Sequence, residues 1–63
     1  MKKVKNFNEV KVNEKYKHND KIFFIHDIKE KEIALDYKNN TFSVIPYGKF
    51  KRWVKDGEIY HIE

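Results

Sequence analysis

One leucine and one alanine in 63 residues leave this chain little from which to build helices, because those two residues rank among the strongest helix formers. Its apolar content lies instead in seven isoleucines, five valines, five phenylalanines and four tyrosines. These β-branched and aromatic side chains suit a pleated, half-buried surface, so the expected fold class is all-β. The chain makes one domain near the lower limit of independent folding, where only about 60% of the unfolded surface is buried. Folds of this size draw reinforcement from disulfides, metals or a second subunit. With no cysteine in the sequence, disulfides and thiolate zinc sites are excluded, and aromatic packing or self-association remains. The absence of cysteine also suits a reducing cytoplasm.

The apolar periodicity divides the chain into short strands. Residues 1–9 read as a basic, loosely ordered lead-in, and residues 10–63 as the folded domain. From Val10 to Lys17 the pattern alternates, with Val10, Val12, Glu14 and Tyr16 on one side and Lys11, Asn13, Lys15 and Lys17 on the other, the period of a half-buried strand. His18-Asn19-Asp20 is turn chemistry. Lys21 to Ile28 begins apolar on both faces, which predicts a central or bent strand. Ile33, Leu35 and Tyr37 are expected inward on the next strand, with Phe42 and Val44 inward on its hairpin partner. Between them Lys38-Asn39-Asn40 supplies residues that tolerate a positive φ. Pro46 closes that strand, because it has no N–H for a ladder. Phe50, Trp53 and Val54 then fall at i, i+3 and i+4, so one short helical turn directs all three toward the core. Asp56-Gly57 turns the chain into a last strand, Glu58 to Ile62.

Five strands with a helical turn before the last predict a small barrel. Tyr16-Lys17-His18 leading into the Ile22 strand, and Ile45-Pro46-Tyr47-Gly48-Lys49-Phe50 closing the fourth, resemble the small SH3-like modules of phage and mobile-element proteins. The resemblance covers the layout of residues 10–62. It implies a five-stranded SH3-like barrel, an aromatic plug just after the proline, and a binding habit. Fold alone does not fix function.

Charge narrows the partner class. Residues 1–18 carry six lysines against Glu9 and Glu14, while residues 19–63 balance to zero. Within the neutral part, Tyr47 to Lys55 holds four cations and no acid. Two basic regions on a small body favour an anionic partner. The candidate binding residues are Tyr47, Lys49, Lys51, Arg52, Trp53 and Lys55, joined by Lys11, Lys15 and Lys17 of the first strand. Cations interleaved with aromatics suit phosphate contact plus base stacking. Tyr, Trp and Arg together equally mark a protein–protein hot spot. Phe50 and Trp53 compete for a second role as core plugs.

Catalysis lacks its parts. Thr41 and Ser43 are the sole aliphatic hydroxyls, both in a predicted strand rather than on a strained turn, and no thiol exists to act as nucleophile. Gly48 and Gly57 are isolated, so there is no phosphate-cradling glycine loop. His18, His26 and His61 match no zinc spacing, and neither metal nor cofactor is expected. No apolar run approaches the ~18 residues of a membrane span, which predicts a soluble, cytoplasmic protein. Lys, Asn, Ile, Tyr and Phe make up 35 of the 63 residues, and their AT-rich codons point to an AT-rich genome.

Three non-enzymatic readings follow, in this order. The first is a phage or mobile-element inhibitor or adaptor of the anti-defence type, docking stoichiometrically on a host protein such as a nucleic-acid-handling enzyme. The second is a module binding DNA or RNA through residues 47–55 and the lysine-rich first strand. The third is a homo-oligomer that sequesters an anionic nucleotide between subunits.

Overall fold

The computed structural model describes residues 1–63. Six strands form one antiparallel sheet: β1 (Lys2–Lys3), β2 (Lys15–His18), β3 (Lys21–Ile28), β4 (Glu32–Asp36), β5 (Phe42–Pro46) and β6 (Ile59–Ile62). A 3₁₀ turn, Phe7–Glu9, precedes β2, and a helix, α1 (Tyr47–Lys55), precedes β6. The strand order is β1-β6-β2-β3-β4-β5. The predominance of β-structure follows the composition. The hydrogen-bonded sheet, however, has six strands with two open edges, β1 and β5, where five strands closing into a barrel were expected.

The inner face carries the core. Tyr16, Phe23, Ile25, Ile33, Leu35, Ile45 and Ile59 are buried there with Val4, Val10, Phe50 and Val54. Burying one such large side chain contributes about 1.5–3 kcal/mol, so this cluster is the main favourable term. Within it Phe50 of α1 meets Phe23 of β3 edge-on, 5.8 to 6.2 Å being the spacing of its two perpendicular ring contacts with Phe7 and Phe23.

A nine-residue helix is too short to persist alone in water, so α1 owes its existence to this packing. Tyr47, Phe50 and Val54 recur at helical spacing and turn one stripe toward the sheet. Phe50 and Val54 are buried, and Trp53 is half-buried against the core, as expected from their spacing. Pro46 ends β5 on an edge strand, where a missing N–H is tolerated. At the other end Gly57 takes φ +74°. Its N–H donates to Val54 C=O and that of Glu58 to Trp53 C=O, a Schellman closure that favours glycine at this position.

Three expectations are corrected. Residues 1–9 are ordered: β1 pairs Lys2 and Lys3 with His61 and Tyr60, Val4 is 2% exposed, and Phe7 packs on α1. The strand expected from Val10 starts at Lys15 instead. Asn13 (φ +71°) and Glu14 both bond to Ile25 of β3, two residues facing one. That irregularity breaks the alternation and leaves Val12 exposed.

The third correction concerns the β4–β5 hairpin, whose two strands form as expected. Phe42 and Val44 point outward, each 58% exposed, while Ile45 is buried. Facing them inward requires Tyr37 opposite Phe42, with a two-residue turn. The turn in fact spans three residues. Lys38, Asn39 and Asn40 all have positive φ, near 60°, and Tyr37 N–H bonds to Thr41 C=O. Leu35 therefore opposes Ser43, and Ile33 opposes Ile45. A one-residue shift exchanges the two faces of a strand.

Candidate functional site

Helix α1 and the Phe7–Glu9 turn face each other across an open groove of about 480 Å³. The turn is held by Val10 N–H donating to Phe7 C=O at 2.9 Å, which presents the Phe7 ring to the helix. Phe7 and Tyr47 lie 4.6 Å apart between ring centroids, tilted by 56°, and Phe7 also meets buried Phe50 at 5.8 Å. The groove wall formed by Phe7, Tyr47 and Val54 is thereby anchored in the core. The rest of the lining comes from Lys5, Asn6, Asn8, Lys51 and Lys55.

The electrostatics are one-sided. No carboxylate lines the groove, and none of Lys5, Lys49, Lys51, Arg52 and Lys55 forms an ion pair. The one lysine–carboxylate ion pair is Lys38–Asp36, and the other close contacts to carboxylates are His18–Glu58 and His61–Glu14. Lys51 Nζ instead lies 5.5 Å from the Tyr47 ring centroid, a cation–π spacing. Lys5, Lys51 and Lys55 give the groove a local excess of positive charge, which favours an anion beside its apolar wall.

The nine residues singled out from sequence do not gather in one place. Tyr47, Lys51 and Lys55 line the groove, whereas Lys49 and Arg52 are exposed elsewhere on α1. Trp53 is not a free stacking platform. Its ring stacks on His18 of β2 at 3.8 Å and 16°, and Lys49 Nζ lies 5.7 Å from it. His18 Nε2 is in turn 2.8 Å from Glu58 Oε1, so Trp53 ties α1 to the sheet. Lys15 and Lys17 flank buried Tyr16 and project from the outer face, with Lys15 Nζ 5.8 Å from the Phe24 ring. They cannot extend the α1 surface. Lys11 is exposed in the loop before β2, where its backbone N–H donates to Tyr16 Oη at 2.9 Å.

Sequence reasoning missed Lys5, Asn6, Phe7 and Asn8. The available signal was Val4, Phe7 and Val10, apolar residues three apart in an otherwise polar stretch, which is a compact turn's spacing rather than a loose lead-in's.

Two groups titrate away from their ordinary range. Burial pushes the Tyr16 phenol up, the Lys11 N–H bond opposes this, and the nearby Glu14 and Glu9 charges push it further. Burial alone raises Tyr37. Both lie outside the groove. Histidines and carboxylates form no group of three capable of holding a metal ion, and no helix is long and apolar enough to cross a membrane. No protein-family model, curated protein or solved structure matches the chain.

Proposed function

We propose that this chain is a non-enzymatic binding module that holds a single-stranded nucleic acid in the groove between α1 and the N-terminal turn. The observation carrying this reading is the lining itself: three lysines in no ion pair and two asparagines beside an aromatic wall, with no acid among them. Phosphates engage the lysines and Asn6 and Asn8, while a base lies against Tyr47. Single-strand binders combine such a basic track with base–aromatic stacking. The SH3-like likeness belongs to this proposal, supported by the β2–β5 meander and a helix that returns the chain to β6 beside β2. A cytoplasmic location goes with it.

Fluorescence anisotropy with labelled single-stranded DNA and RNA tests the proposal. Three phosphate contacts predict an affinity loss of roughly twentyfold between 50 and 200 mM salt, through counterion release. No anisotropy change at low salt would overturn it. A mononucleotide panel in the same assay separates a polymer site from a nucleotide-sequestering one.

A second reading rests on Arg52 and Trp53. Arg52 is exposed and unpaired beside half-buried Trp53, outside the groove. That pairing fits a hot spot on a protein partner, as in a phage-type inhibitor docking on a host enzyme. Loss of a captured partner on Arg52→Ala, with oligonucleotide affinity intact, favours this second reading.

A further inference from the structure

The two edges of the sheet are built differently. Edge β1 is two residues long and both are lysines, a charged and short edge that discourages further pairing. Edge β5 has five residues, and no charged side chain occurs from Asn39 to Gly48. Ten consecutive uncharged residues are the longest such run in a chain that is 38% charged. They fall on the edge where charge would be protective.

The hydrogen bonds show which groups that edge leaves open. Tyr37 N–H donates to Thr41 C=O and Tyr47 N–H to Lys31 C=O, each at 2.9 Å. Bonding alternates along an antiparallel pair, so Ser43 and Ile45 turn their backbone groups toward β4. Phe42 and Val44 turn theirs away, where no strand lies. The same two residues expose their side chains on the outer face.

We propose that β5 is a self-association edge, pairing antiparallel with β5 of a second copy about a two-fold axis at Ser43. Phe42 then stands opposite Val44 of the second copy, and Val44 opposite its Phe42. Four backbone N–H···O bonds form, and two aromatic–β-branched pairs meet on the outer face, a favourable cross-strand combination. Centring on Val44 instead sets Phe42 against Pro46, which has no N–H to donate. The occupant is a second copy because the strand is complementary to itself in this register. The uncharged run also removes the repulsion that a net charge of +4 places between copies elsewhere. Such a two-fold interface is isologous, using one patch twice. The axis stands normal to the sheet, so both α1 helices come to lie on the same side of the joined sheet.

Sedimentation of the full chain without nucleic acid, from about 1 μM to 1 mM, tests the proposal over a thousandfold range of dissociation constant. A concentration-dependent dimer is expected, and a monomer throughout overturns the proposal. Val44→Lys alters an exposed side chain, so the monomer keeps its melting temperature. Association should weaken by about two- to thirtyfold, since both cross-strand pairs are lost together. A dimer that tolerates this change uses another surface and overturns the proposal. Register is read by Ser43→Cys, the sole thiol in the variant. Directly opposed non-hydrogen-bonded residues lie about 4.5 Å apart at Cα, within disulfide reach. Oxidation should cross-link it far faster than Lys29→Cys, an exposed control site, and equal rates overturn the register.

Discussion

The inner and outer faces of the sheet receive similar side chains and meet different fates. Inside, Phe23, Ile25, Ile33, Leu35 and Ile45 are sealed by α1 and the N-terminal turn. Outside, Ile22, Phe42 and Val44 stay about half exposed, beside Lys15, Lys17 and an outward Phe24. The difference lies in the cover, since hydrophobicity stabilises only where another element removes the surface from water. The same helix that seals one face also carries Lys51 and Lys55 of the groove, so the cover of the core and the candidate site lie on one side of the sheet.

The largest expected effect lies under the helix. A 63-residue domain has roughly 3–9 kcal/mol of stability at typical per-residue values. Phe50→Ala should cost about 3–5 kcal/mol, from about a third to all of that total, and chemical denaturation would show a severely destabilised chain. A folded variant with native-like stability would break the assignment of Phe50 as the core plug. Next comes charge. Lys51→Glu with Lys55→Glu should weaken oligonucleotide binding by about tenfold or more, while Lys15→Glu with Lys17→Glu, on the opposite face, changes it by less than about threefold. Equal losses measured by anisotropy would mean that both faces contact the ligand.

A smaller effect concerns Tyr16, whose raised pKa means that folding favours its neutral phenol. The associated stability is present below the unfolded tyrosine value of about 10 and is lost as pH rises through the higher folded value. Melting temperature should therefore hold up to about pH 10 and fall beyond it. Tyr16→Phe should blunt that fall, leaving the part due to Tyr37, at a cost of about 1 kcal/mol for the lost hydrogen bond to Lys11 N–H. The smallest effect belongs to the bare face: Phe42→Ala in dilute solution should shift stability by no more than about 0.5 kcal/mol. A larger loss would show that the outer face is not idle in the monomer.

Much of this layout was legible in the sequence. The Lys21–Ile28 strand, the β4–β5 hairpin, the helical stripe of Phe50, Trp53 and Val54, and the Asp56-Gly57 turn each carry a local signature. Which face of β5 points inward was not local. The alternation of Thr41 to Ile45 favours Phe42 and Val44 inward, and the three-residue turn before the strand overrides it. The groove was half legible: its α1 side stood out as a basic, aromatic run. Its N-terminal side is defined by Phe7 reaching Tyr47, a contact between residues forty apart that no short window contains.

The stacked pair His18 and Trp53 has one practical consequence. Trp53 is the single tryptophan of the chain, and its indole rests on an imidazole belonging to β2 while its backbone belongs to α1. Its emission is therefore an intrinsic gauge of whether the helix is seated. Any ligand or solvent condition that lifts α1 separates the two rings and changes the fluorescence signal. The seating of the helix can thus be followed in unlabelled, unmodified protein, in real time.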